Sequence, residues 1–281
     1  MLPRSLQPGD AIALVTPARF TDSIAVEQAS QAIRAAGFEP LHAPDLLARD
    51  GQFGGTDAQR AEQLNRAFRS PEVRAVWAMR GGYGCARILP LLDAAAYRED
   101  PTWICGFSDV TALHAWSNRR GVAALHAPVA GTFASTRQAD QLWTALADPE
   151  AHQHGRHLQL PDERPVLGGN LSVLYSLLGT PYFPDVTGAW LLLEDLDEYL
   201  YHLDRMLNSF RLAGVFKRMH GLAMGSFTDL HDNTIASGQT ADNPFGRTLR
   251  DMVADHVPAG KPVVWEVPVG HGKENVPVVL G

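Results

Sequence analysis

Short apolar runs that alternate with amphipathic stretches restrict the first half of this chain to few architectures. Ala11 to Val15 is an apolar run ending at Thr16-Pro17, and Ile24 to Ala36 has helical periodicity. Ala61 to Phe68 reads as a second helix, and Ala75 to Met79 as a buried strand running into Arg80-Gly81-Gly82. Trp103 to Phe107 is the next strand, followed by a helix from about Asp109 to Arg120. Runs this short, separated by helices, indicate βαβ units and a mainly parallel sheet. In open sheets of that kind, sites form at the carboxyl ends of the strands.

From Thr132 to Arg164 the pattern degrades. Pro149 to His157 is polar, and Pro161-Asp162-Glu163-Arg164-Pro165 reads as a linker. At 281 residues two domains are expected. The division is 1–132, a linker over 133–165, and a second domain over 166–281. The second domain carries strands at Trp190 to Leu193, Gly221 to Met224 and Pro262 to Val267. Helices fall at roughly Tyr199 to Phe216 and Phe245 to His256.

Composition excludes several classes of function. The net charge of −7 argues against a nucleic-acid backbone as partner. The longest apolar runs, such as Ala189 to Leu193, are too short to span a membrane. The first residues lack the basic, apolar and small-residue sequence of a secretory signal. Two cysteines, Cys85 and Cys105, build neither a disulfide framework nor a four-ligand zinc site, and read as small packed residues in a reducing compartment.

Three residue types needed for an activated hydroxyl fall at predicted strand ends, in the order Ser, Glu, His. Ser108 stands at the strand-to-helix junction in Gly106-Phe107-Ser108-Asp109. A nucleophile there would be lifted into the open beside free N–H groups of the helix start. The alternative is that Ser108 only caps the helix. Glu194 ends the strand Trp190 to Leu193, and His271 lies in Gly270-His271-Gly272 past the last expected strand. Base, orienting carboxylate and nucleophile make up a triad. The run Arg80-Gly81-Gly82-Tyr83-Gly84 is open to three readings: an anion cradle, a second oxyanion donor, or a tight turn. The acidic cluster of Glu194, Asp195, Asp197, Glu198, His202 and Asp204 and the histidines 152, 154 and 157 lack the spacing of a metal motif.

An ordered set of motifs resembles the serine LD-carboxypeptidases: R-G-G-Y-G (80–84), G-F-S-D-V-T-A-L (106–113), G-G-N-L-S (168–172), L-G-T-P-Y-F-P (178–184), L-E-D-L-D-E (193–198), D-R-M-L (204–207) and G-H-G (270–272). The resemblance runs from about residue 10 to 280. It implies an α/β fold, with a flavodoxin-like parallel-sheet N-terminal domain, a smaller α/β C-terminal domain, and an active site in the cleft between them. It maps nucleophile, acid and base onto Ser108, Glu194 and His271, and backbone oxyanion donors onto Gly82 and Asp109. It implies a cytoplasmic, metal-free homodimer without cofactor, releasing the terminal D-alanine of murein tetrapeptides. Candidates for substrate contact are Arg80, Tyr83 and Asn170, with Arg87 and Arg205 as further arginines suited to carboxylates. Relatives of the microcin C self-immunity type resemble every motif quoted. An aromatic platform for adenine would distinguish them, and the Thr132 to Pro165 stretch offers only Phe133 and Trp143. In two places the chain departs from the family. The family's C-terminus continues past the point where Val276 to Gly281 stops, and the stretch Asn233 to Asn243 is longer than in short members.

Overall fold

The structure, a computed structural model, describes residues 1–233 and 243–281, so most of the Asn233–Asn243 stretch lies outside the described residues. The first sheet contains β1 (Ala11–Val15), β2 (Glu39–His42), β3 (Val73–Ala78), β4 (Trp103–Gly106) and β5 (Ala124–His126). These strands are parallel and lie in the order 2-1-3-4-5, the flavodoxin-like arrangement. The connections carry α1 (Ser23–Ala35), α2 (Asp57–Arg69), α3 (Cys85–Ile88), α4 (Ala94–Glu99) and α5 (Thr111–Asn118).

Because successive strand residues face opposite sides, β1 feeds two cores. Ala13 and Val15 pack with Leu64, Phe68 and Trp116, while Ile12 and Leu14 pack with Val26, Ile33 and Trp77. Burial on both faces explains why β1 is a continuous apolar run rather than an alternating one. Each larger side chain so buried contributes about 1.5–3 kcal/mol. Cys85 and Cys105 are buried thiols, and burial raises both above their ordinary titration range.

Residues 130–158, which overlap most of the 133–165 stretch expected to link the domains, are mostly helical. Short 3-10 segments at Ala130–Ser135 and Glu150–Leu158 flank α6 (Gln141–Ala147). Leu142, Ala145 and Leu146 of α6 are buried in the core beside Ile12 and Leu14. Trp143 and Phe133 both meet the Trp77 ring edge-on, at 5.3 and 5.2 Å between centroids.

The second sheet is fully parallel: β6 (Val166–Asn170), β7 (Trp190–Leu196), β8 (Gly221–Thr228) and β9 (Val263–Val264). It is covered by α7 (Leu171–Leu177), α8 (Leu200–Leu212), α9 (Val215–Arg218) and α10 (Leu249–His256). The helix expected over Tyr199 to Phe216 is two helices, broken where Gly214 adopts φ 71°. The strand expected over Pro262 to Val267 pairs only at Val263–Val264. The chain then returns: β10 (Val278–Leu280) pairs antiparallel with β5 and completes the first sheet. The end of β6 meets the start of α5, where the Asn170 N–H donates to Thr111 Oγ1 at 3.0 Å. The loops at the carboxyl ends of the two sheets therefore share one cleft, as the resemblance implies.

Candidate active site

Ser108 sits between β4 and α5 with φ 60°, in the left-handed region that ordinary side chains avoid. Its hydroxyl caps nothing. The 3-10 turn Ser108–Val110 and α5 both begin without a side-chain cap bond. Ser108 is thus held in a strained elbow and does not serve as an N-cap.

The glycine turn after β3 closes over this elbow. A Cβ on Gly81 would stand 2.9 Å from Ser108 Cβ and 3.0 Å from its Oγ, so only glycine permits the approach. Gly82 has φ 108°, and its N–H makes no hydrogen bond among the described residues. Arg60, fully buried on α2, pins the turn from behind. It donates to the carbonyls of Gly84 at 2.8 Å and of Gly55 at 3.3 Å, and also to the Pro17 carbonyl and to Asp57. The Asp109 carboxylate accepts from the Cys85 N–H at 2.8 Å, and burial raises its pKa. The side chain of Asp109 is therefore an anchor, leaving its N–H beside Gly81.

Glu194 does not end its strand: β7 continues to Leu196, with a register shift against β8 between Leu193 and Asp195. Its side chain is fully buried, and Oε2 lies 2.6 Å from His271 Nδ1. The neighbouring Asp195 points the other way. It accepts from Asn170 Nδ2 and from the Ser172 N–H, each at 2.9 Å, and burial pushes its pKa up to about 6. The other carboxylates of the acidic cluster take separate partners: Asp197 with His231, Glu198 with His202, and Asp204 with His256. Among the described residues no group of three or more metal-ligating side chains is assembled.

The loop carrying His271 is tied down by residues that the sequence did not single out. The Gly270 N–H donates to Asn275 Oδ1 at 2.9 Å, and the Gly272 N–H to Ser226 Oγ at 2.9 Å. Gly270, at φ 111°, leaves no room for a side chain, since a Cβ would approach Glu194 Oε2 to 2.7 Å. The Phe107 ring packs against the imidazole at 4.6 Å between centroids. Behind it lies buried His126, bonded to Asn275 Oδ1 at 3.2 Å, its pKa pushed down to about 4 chiefly by burial.

Ser108 and His271 line one cavity of about 720 Å³, together with Phe107, Gly81, Gly82, Arg80, Arg19, Asp22, Thr132 and Asp197. That volume suits a peptide-sized ligand. No hydrogen bond joins Ser108 to His271 among the described residues, and the His271 ring is held through Nδ1 by Glu194. Of the proposed substrate contacts, Arg80 lines the cavity. Tyr83 is half-exposed and tilts against Phe53. Asn170 is buried, caps α7 and bonds Asp195. Arg87 is bound by both oxygens of Asp57, and Arg205 lies over the Tyr201 ring. Arg19, which the sequence reading passed over, stands four residues beyond β1 on the cavity wall. Its place past a strand's carboxyl end was the available signal.

The chain is 34% identical to a provisionally named carboxypeptidase of Streptomyces coelicolor over 294 residues, covering 99% of this chain and 91% of that one. It is 29% identical to the murein tetrapeptide carboxypeptidase of Pseudomonas aeruginosa, covering 96% of this chain and 91% of the relative. The fold is shared with the muramoyltetrapeptide carboxypeptidase of Oxalobacter formigenes: the TM-score is 0.78 at 24% identity, over 96% of this chain and 92% of the other. It is also shared with the microcin C7 self-immunity protein MccF in its wild-type apo state, with a TM-score of 0.80 at 17% identity over 100% and 94% of the two chains. Residues 12–127 match the family model of the LD-carboxypeptidase N-terminal domain and residues 163–281 that of the C-terminal domain, so this chain belongs to the LD-carboxypeptidase family.

Proposed function

We propose that this enzyme releases the terminal D-alanine of murein tetrapeptides by a Ser108–His271–Glu194 triad acting through an acyl-enzyme. The observation that carries the reading is the 2.6 Å contact between buried Glu194 and His271, on a ring lining the same cavity as the strained Ser108 elbow. Glu194 holds the imidazole with its proton on Nδ1 and stabilises the imidazolium as it forms. Nε2 is then free to take the Ser108 proton while Oγ attacks the scissile carbonyl. The N–H groups of Gly82 and Asp109 receive the oxyanion, each such donor contributing about 2.7–4 kcal/mol. His271 returns its proton to the leaving amine, D-alanine departs, and water attacks the acyl-enzyme by the same route. The murein relatives at 29% identity across nearly the whole chain support this substrate class. The same reading makes the enzyme a cytoplasmic homodimer.

The second reading, hydrolysis of peptidyl- or aminoacyl-nucleotide amides, is favoured by the fold shared with MccF. Against it, Phe133 and Trp143 are both committed to the Trp77 cluster, leaving neither as a platform for a nucleobase. Mass spectrometry after incubation with a murein tetrapeptide and with an aminoacyl sulfamoyl adenosine separates the two. Loss of D-alanine from the first, with the second intact, is expected. The reverse result refutes the murein reading.

A further inference from the structure

A carboxypeptidase must tell a chain end from a chain interior, and in an L,D-cleaving enzyme the free carboxylate of the leaving residue is the group that marks it. That carboxylate is three bonds from the scissile carbonyl carbon, within roughly the 3.8 Å span of one residue. Its partner must therefore lie against the nucleophile and the oxyanion turn, not at the far end of the cleft.

Two guanidinium groups line the cavity, Arg19 and Arg80, and neither has an ion pair or a side-chain hydrogen bond among the described residues. The two acids on the same walls are engaged elsewhere. Asp22 caps α1 by accepting from the Ala25 N–H at 2.9 Å, and Asp197 takes His231 at 2.7 Å. The arginines approach from different sides. The Arg80 stem lies toward Gly131, whose Cβ would be 3.7 Å from Arg80 Cγ. The Arg19 stem lies directly across the oxyanion turn: a Cβ on Gly82 would meet its Cδ at 2.3 Å and its Cγ at 2.5 Å. The Arg19 N–H also donates to the Gly81 carbonyl at 3.4 Å, tying its backbone to the residue that abuts Ser108. Gly82 thus has a second reason to lack a side chain, because it is the floor on which Arg19 lies.

We propose that Arg19 is the specificity residue that binds the C-terminal carboxylate of the leaving D-alanine, and so makes the enzyme an exopeptidase. The inference rests on the D-alanine-releasing activity proposed above. A planar fork of donors is suited to bidentate carboxylate recognition, and the Arg19 stem crosses the glycine turn that abuts Ser108, on the wall of the same cavity.

The test compares a tetrapeptide ending in free D-alanine with the same peptide ending in D-alanine carboxamide. Wild type, Arg19→Ala, Arg19→Lys and Arg80→Ala are each assayed for kcat/KM. Arg19→Ala should lower kcat/KM for the acid by about 10- to 100-fold, the scale of one charge-assisted carboxylate contact, and leave the slow cleavage of the amide unchanged. Arg19→Lys should recover part of the preference for the acid. Arg80→Ala should change both substrates by the same factor. Equal losses on acid and amide for Arg19→Ala, or an acid-specific loss confined to Arg80→Ala, would overturn the assignment. The wild-type reaction with the acid separately tests the activity: absence of released D-alanine there refutes the functional reading rather than the choice of arginine.

Discussion

Replacing Glu194 by glutamine keeps the side-chain shape and removes the charge, and the structure predicts what each amide orientation would do. Glu194 is fully buried, and Oε2 is 2.6 Å from His271 Nδ1, while Oε1 has no hydrogen-bond partner. If the amide oxygen faces Nδ1, the tautomer is preserved but no charge opposes the imidazolium, and the NH2 group is buried without an acceptor. If the amide nitrogen faces Nδ1, the ring proton is driven to Nε2 and the base is blocked. Both orientations fail, so kcat should fall by about 10³- to 10⁴-fold, the scale of a neutralised triad carboxylate, with KM changing only a few-fold. Glu198 is the control. It stands just before α8 and pairs with His202 at 3.3 Å on a partly exposed surface, a contact contributing about 0.5 kcal/mol or less. Glu198→Gln should therefore turn over like wild type. Steady-state D-alanine release from a murein tetrapeptide measures both variants. An inactive Glu198→Gln beside an active Glu194→Gln would show that the wrong carboxylate has been assigned to the triad.

Two further predictions concern the turn and the buried histidines. Gly81→Ala brings a methyl group to 3.0 Å from Ser108 Oγ, so turnover should drop about 100-fold, as for a misplaced reacting group, while Tm shifts little. A large loss of Tm with normal specific activity of the folded fraction would contradict the close-approach argument. His114 is buried, its contact with the Ile104 carbonyl lies outside hydrogen-bond geometry, and burial, then His126, push its pKa down to about 3. The unfolded chain, with an ordinary histidine pKa near 6.5, binds the proton first as pH falls, so stability is full above pH 6.5 and is lost below it. His114→Leu should thus gain about 2 kcal/mol relative to wild type between pH 7 and pH 5. A stability difference independent of pH, read by denaturant titration, would refute this.

The sequence showed the elements whose signal is local. The buried strands β1, β3 and β4 and the serine at the end of β4 stand out because continuous apolar runs stop abruptly at Thr16-Pro17, Arg80-Gly81 and Ser108. The short strands β2, β5 and β10 left no periodicity to read, and β10's return to the first sheet is decided by pairing across more than 150 residues. Glu194 was legible as an acid after an apolar run, but the continuation of its strand to Leu196 was not, because the register shift beside it is a property of the sheet rather than of the segment. Arg60, Asn275 and Ser226 escaped notice for the same reason. Each acts on backbone that the fold brings beside it: Arg60 on the carbonyls of Gly84, Gly55 and Pro17, Asn275 on the Gly270 N–H, and Ser226 on the Gly272 N–H. Asn170 was legible as a polar residue in a distinctive motif, but its role as cap of α7 and partner of buried Asp195 depends on where β7 places that acid.

The most direct measurement titrates the enzyme with a fluorophosphonate and follows the labelled fraction of the Ser108 peptide against residual D-alanine release. The account predicts one adduct per chain, located on Ser108, with activity falling in proportion to the labelled fraction and no labelling in His271→Ala at the same rate. Undiminished turnover in fully labelled enzyme, or inactivation with the adduct on another residue, would contradict it.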